Sequence, residues 1–209
     1  MEQTEATPVV PLEAGAGPEN PPCPACGEPL FGWIGSKAGL DGPVRRCESC
    51  GLAIAGEPGD AEAALRELDS LRREDALRIE NRASFACALG SAGWSGLQPG
   101  RRHLFTVEAV RRLAARRDQI VKSARWSPLA GLAGTWQTLL NSVTFGHNVA
   151  LAALRDLPGM QAPKSWQRRI DALASIVLAI PALAIAVPVE LAGGLTRHGA
   201  VISIRLELF

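Results

Sequence analysis

The sequence predicts a mixed α/β protein: a small cysteine-bearing ribbon near the N-terminus, an α/β region behind it, then an apolar helix pair and a last strand. Three observations carry this. Four of the five cysteines form two C-x-x-C pairs, and residues 172–189, ALASIVLAIPALAIAVPV, run without a charge. The chain then ends in VISIRLELF, where Ile202, Ile204, Leu206 and Leu208 alternate with Ser203, Arg205 and Glu207. At 209 residues, 47% hydrophobic and 21% charged, there is room for one ordinary domain or for a small one joined to a medium one.

The first twenty residues, MEQTEATPVVPLEAGAGPEN, are acidic and rich in Pro and Gly, with no apolar core. They read as a disordered leader (1–20) and lack the positive charge of a signal peptide, so a cytoplasmic protein is expected. The ribbon follows at 21–57. Cys23-Pro-Ala-Cys26-Gly and Cys47-Glu-Ser-Cys50-Gly give C-x2-C-x20-C-x2-C, a spacing that brings four thiolates onto one ion. Gly27 and Gly51 follow the knuckles, where a positive φ keeps the backbone close to the sulfurs. A structural Zn(II) held by Cys23, Cys26, Cys47 and Cys50 is expected, with iron in the same site as the alternative. A reducing cytosol disfavours two disulfides. Cys87, in ASFACALG, reads as a small core residue.

In the α/β region (58–163), Ala64, Leu65, Leu68 and Leu71 recur at helical spacing, which predicts a helix from about Asp60 to Arg73. A short strand is expected at Leu77–Glu80, ended by Asn81. Four glycines in residues 86–100 predict a loop. Thr106 is placed to cap a helix through VEAVRRLAARR, and QIVKSARW (Gln119–Trp126) reads as a strand. A glycine-broken loop is expected next, then a helix near TWQTLLNSV, with Asn141, His147 and Asn148 as polar residues able to face a pocket. The block from Arg101 to Arg125 is strongly basic, yet no aromatic ladder interleaves it. A solvated helix face is therefore expected and a nucleic-acid partner is not.

The tail divides into an apolar helix pair at 164–195 and a strand at 196–209. Eighteen uncharged residues make a helix of about 27 Å, just short of a bilayer core of about 30 Å. Pro181 and Pro188 each remove a helix hydrogen bond, which predicts a kink between two helices. Lys164, Trp166, Arg168 and Arg169 ahead of it suit an anionic headgroup layer. Association with a membrane surface at its inner face, burial against a partner protein, and a single span remain as three alternatives.

Asn81-Arg82-Ala83-Ser84, Trp94, then Arg102-His103-Leu104-Phe105-Thr106 ahead of a helix and a strand resemble the C-terminal half of certain class I S-adenosylmethionine-dependent methyltransferases. CPACG and CESCG resemble the cysteine ribbon with which many of them begin. The resemblance implies an incomplete Rossmann-like sheet ending in an antiparallel strand, and a substrate or anion loop at Arg101, Arg102 and His103. Only twenty-six residues separate Cys50 from Leu77, whereas the cofactor-binding part of that family takes on the order of a hundred by the logic of nucleotide-binding α/β folds. Glu13-Ala14-Gly15-Ala16-Gly17 imitates its glycine loop, but prolines and a knuckle follow it instead of a helix. The expectation is a non-catalytic, methyltransferase-like zinc-ribbon module, with no S-adenosylmethionine site in the isolated chain. It would act at a membrane surface or on a partner protein, and would self-associate or bind a partner that completes the sheet. The alternatives are a methyltransferase whose cofactor half comes from a partner chain and a single-span membrane protein.

Overall fold

A computed structural model describes residues 20–35, 40–155 and 164–208. The expected leader, apart from Asn20, and the Glu13–Gly17 segment lie outside the described residues. The chain is mixed α/β with two four-stranded antiparallel sheets. In the first, β1 (Leu30–Ile34) pairs with β2 (Val44–Cys47), and β2 pairs with β3 (Ala53–Ala55). The next helix, α1 (Ala61–Ser70), starts where Asp60 accepts a hydrogen bond from the Ala63 N–H at 2.7 Å. It stops three residues short of the expected end, because Arg72–Arg73 turn into β4 and pair with β5 (Ala76–Glu80).

Residues 86–100 are not simply a loop. Ser84 caps α2 (Phe85–Gly90) by accepting from the Cys87 N–H at 3.1 Å, and a 3-10 turn covers Ser91–Gly93. Gly90 and Gly96 serve close packing, since a Cβ there would come within 2.3 Å of Thr138 and of the Trp94 ring respectively. The segment after Arg102 is a strand too: β6 (His103–Leu104) pairs with β3 and closes the first sheet in the order β1-β2-β3-β6. Thr106 caps α3 (Val107–Ala115) as expected, accepting from the Ala109 N–H at 3.0 Å. The amphipathic spacing places Ala109, Val110, Leu113 and Ala114 inside.

β7 runs over Gln119–Trp126 as expected, and β8 (Val201–Leu208) pairs with it and with β5, both antiparallel. The second sheet is ordered β4-β5-β8-β7, so β5 and β7 run the same way on either side of β8. One apolar core joins the two sheets. Cys23, Cys47, Cys50, Leu52 and Ile54 of the ribbon pack with Leu65, Leu68, Leu77, Ile79, Phe105, Val110, Ile202 and Ile204.

The predicted glycine-broken loop is the first half of α4 (Pro128–Asn141). Its glycines let another helix approach instead of breaking this one: a Cβ on Gly131 would lie 1.9 Å from a carboxyl oxygen of Glu190. After α5 (Val149–Arg155), the predicted helix pair is one continuous helix, α6 (Ser165–Leu195), with Pro181 and Pro188 inside it. Proline removes one bond and leaves a carbonyl open. The helix passes both prolines packed against α4, where the Trp136 indole N–H donates to the Ala179 carbonyl at 2.9 Å, two residues before Pro181.

Candidate functional site

Two tight turns build the cysteine cluster. The N–H of Gly27 donates to the Cys23 carbonyl at 2.8 Å and that of Gly51 to the Cys47 carbonyl at 3.1 Å. Both glycines have positive φ, +83° and +75°, which a side chain would oppose. At Gly51 a Cβ would also meet the Thr106 methyl at 2.8 Å. The four sulfurs lie within 4.8 Å of one another, with Cys23–Cys50 at 3.6 Å and Cys26–Cys47 at 3.4 Å. A tetrahedron of thiolates at about 2.3 Å from a central ion has sulfur–sulfur edges of about 3.8 Å, so the cage fits a four-coordinate metal. Four protein ligands leave no open position for substrate or water, which is the character of a structural site.

The thiols of this cage are electrostatically unequal. The hydrogen bond between the Cys23 and Cys50 sulfurs holds Cys23 down at about 5 and pushes Cys50 well above the ordinary thiol value. Burial raises Cys26 as well. A metal ion must displace these retained protons. Burial lowers Arg82, while the fields of Cys87, Cys50 and Cys47 act to raise it. Its guanidinium lies 5.0 Å above the centre of the Trp33 ring in the ribbon. Thr106 joins the cage to the body, because its hydroxyl donates to the Cys50 carbonyl at 2.6 Å while capping α3.

The structure separates the three residues of the expected anion loop. Arg101 lines a cleft and faces Glu80 at 3.5 Å. Arg102 donates to the Glu57 carbonyl at 2.8 Å. His103 is buried, with Nδ1 2.6 Å from a Glu67 carboxyl oxygen and its ring stacked on Phe105. Glu67 also accepts from the backbone N–H groups of Arg102 and His103. His103 thus fastens α1 to β6, an ordinary packing role. Sequence reading found no acid near His103 because Glu67 is thirty-six residues away. The basic block is largely paired: Arg117 bridges Glu62 and Asp69, Arg111 and Arg112 pair with Glu108, and Lys122 with Glu207.

Of the polar residues at the end of α4 and just beyond it, Asn148 lines the same cleft and donates to the Ser95 carbonyl at 2.9 Å. Asn141 donates to Asn148 and to the Gly93 carbonyl, and His147 is buried.

The second feature is α6, which is turned inside out. Its only charged residues from Ile170 to Leu195 are Asp171 and Glu190, and both are buried. Asp171 accepts from the N–H groups of Phe145 and Gly146 at 2.7 and 2.8 Å. Glu190 accepts from the Trp126 indole N–H at 2.6 Å, the Thr135 hydroxyl at 2.7 Å and the Ala200 N–H at 3.0 Å. Small residues, Ala182, Ala186 and Gly193, complete the inner stripe. Large aliphatic residues face out: Ile176 is 75% exposed, Ile180 79% and Leu195 85%. The helix is apolar and long enough to cross a membrane, with only 11% of its most apolar stretch buried. The carboxyl anchors at Asp171 and Glu190 were missed because two acids at the ends of an apolar run read as its limits.

Compared with family models, with curated proteins and with solved structures, the chain matches none.

Proposed function

We propose that this protein is a non-catalytic, zinc-stabilised binding module that embeds the outward face of α6 in a lipid bilayer and holds its sheet at the membrane surface. The inversion of α6 carries this reading. A water-facing helix places large aliphatic side chains inside and charges outside, and here both are reversed. Asp171 and Glu190 are nineteen residues apart, so the uncharged stretch between them offers an apolar face about 28 Å long that can lie along the membrane interface. Lys164, Arg168 and Arg169 with Trp166 precede the apolar stretch and Arg197 and His198 follow it, a placement that suits headgroups at both limits. Zinc is the ion that a closed four-cysteine site favours. The inner face of the cytoplasmic membrane is the location that suits reduced cysteines.

Flotation with vesicles of three parts phosphatidylcholine to one part phosphatidylglycerol tests the proposal. The zinc-loaded chain should rise with the vesicles, and Ile176→Asp with Ile180→Asp should leave it in the load fraction. A wild-type chain that stays in the load fraction contradicts membrane seating. Alkaline carbonate should release the bound protein, whereas retention in the pellet would replace surface seating with a span.

The open edge of the second sheet favours a second reading, a methyltransferase-like chain completed by a partner. Beyond Leu77, no strand pairs with that side of β5 among the described residues, because β4 is two residues long. The placement of β8 antiparallel between β5 and β7 supports the resemblance noted in the sequence. Titrating the isolated, zinc-loaded chain with S-adenosylmethionine separates the readings: no binding is expected, and micromolar binding would assign the cofactor to this chain alone.

A further inference from the structure

A cleft of about 530 Å³ opens between the second sheet, the segment around Trp94 and the helices α4 and α5. Its walls differ in kind. Arg73, Arg78 and Arg101 line one part, with Glu80 the sole carboxylate among the lining residues. Glu80 is engaged on its own side of the cleft, accepting from the Gln98 amide at 2.8 Å and facing Arg101 at 3.5 Å. Neither Arg73 nor Arg78 pairs with a carboxylate among the described residues; Arg73 reaches only the Arg72 carbonyl at 3.3 Å. The cleft therefore carries two cationic side chains in excess. The opposite part is apolar, made by Trp94, Ala130, Leu151 and Ala152.

We infer that this cleft binds an amphiphile with a phosphomonoester head, the phosphate held by Arg73 and Arg78 and the proximal chain lying against Leu151 and Ala152. A phosphomonoester carries close to two negative charges at neutral pH, which matches the excess. Guanidinium groups hold phosphate oxygens in pairs. The apolar wall separates this ligand from a free phosphate, which would gain nothing from it. α4 and α5 pack on α6, the helix that meets the bilayer under the proposed function. The lipid source of the ligand rests on that reading, whereas the binding chemistry of the cleft does not.

The test is calorimetry on the full zinc-loaded chain with dihexanoyl phosphatidic acid kept below its micellar concentration, so that no bilayer is present. Dihexanoyl phosphatidylcholine and inorganic phosphate serve as comparisons. One molecule of the phosphatidic acid should bind per chain. Arg73→Gln and Arg78→Gln should each weaken it about tenfold or more, the loss expected for a charged hydrogen-bonding partner. Both arginines are exposed, so these variants keep the fold, and Arg66→Gln, on α1 outside the cleft, should bind as wild type does. Inorganic phosphate and the phosphatidylcholine should each bind at least tenfold more weakly. Phosphate binding as tight as that of the lipid would overturn the amphiphile. Absence of phosphatidic acid binding, or binding unchanged in the Arg73→Gln, Arg78→Gln double variant, would overturn the site. Membrane seating fails instead by flotation, so the two failures are distinguishable.

Discussion

Glu190 gathers hydrogen bonds from three elements, β7, α4 and the turn before β8, onto one buried carboxyl group. Glu190→Ala leaves an indole N–H, a hydroxyl and a backbone N–H without an acceptor, each costing about 1–3 kcal/mol. The sum should be about 3 kcal/mol or more, readable as a lower urea midpoint, and an unchanged midpoint would mean that water replaces the carboxyl. At the cage, Cys47→Ser should abolish metal binding, taking the stoichiometry from one ion per chain to none. Thiolates bind the ion and protons compete for them, so affinity should fall as pH is lowered; a metal content unchanged between pH 8 and pH 5 would contradict thiolate ligation. Cys87 lies outside the cage, and burial pushes its thiol up to about 12. A value raised above the ordinary thiol range means the fold favours the protonated form. Its contribution to stability is whole below about pH 9 and is lost as pH rises toward 12. The folded, metal-loaded protein should therefore resist iodoacetamide at pH 8, and rapid alkylation of Cys87 would contradict its placement in the core. The knuckles were legible because C-x-x-C-Gly is a local pattern. Glu67, Asp171 and Glu190 were not, because their partners come from distant parts of the chain.

Among the elements, those with strong local signals matched: α3 with its Thr106 cap, and β7 and β8 with their alternation. The misread ones share a cause. Glycine was taken as a breaker at 86–100 and 127–134, where Gly90, Gly96 and Gly131 instead admit Thr138, Trp94 and Glu190. Proline was taken as the kink between two helices over 164–195, where packing against α4 carries one helix through Pro181 and Pro188. Small residues that allow close helix contact have this double meaning, and a membrane setting favours the second. β6 was missed since two residues give no periodicity; only the edge of β3 makes His103–Leu104 a strand. On α6, substitutions should split by face. Ile180→Asp leaves folding in water unchanged and weakens vesicle binding, since a charge facing hydrocarbon costs about 2.5–3.5 kcal/mol. Ala186→Asp, on the fully buried stripe, should lower stability in detergent-free buffer by several kcal/mol. Equal effects of the two on thermal stability would deny that the helix has these two faces.

For the molecule as a whole, the shared core makes the ribbon more than an appendage. Cys23, Cys47 and Cys50 pack in the same cluster as Ile202 and Ile204 of β8. Removing the ion with a chelator should therefore lower the melting transition of the entire chain, and loss of ribbon structure alone would show that the two sheets fold separately. The mixed α/β class, the four-cysteine cluster and the apolar helix near the end were legible in the sequence. How the parts join was not, because β6 and Thr106 tie the ribbon to α3 from across the sequence. The basic block is the same lesson at larger scale: as sequence it resembled an interface, yet half of its cations, Arg111, Arg112, Arg117 and Lys122, pair with acids of α1, α3 and β8. The most direct test of the account is a nitroxide attached through Ile180→Cys in a Cys87→Ala background, with zinc shielding the other four cysteines. In phosphatidylcholine–phosphatidylglycerol vesicles the label should be relaxed strongly by oxygen and weakly by a water-soluble nickel chelate, as hydrocarbon burial requires. Strong relaxation by the nickel chelate would place Ile180 in water and contradict the lipid-facing helix on which the account depends.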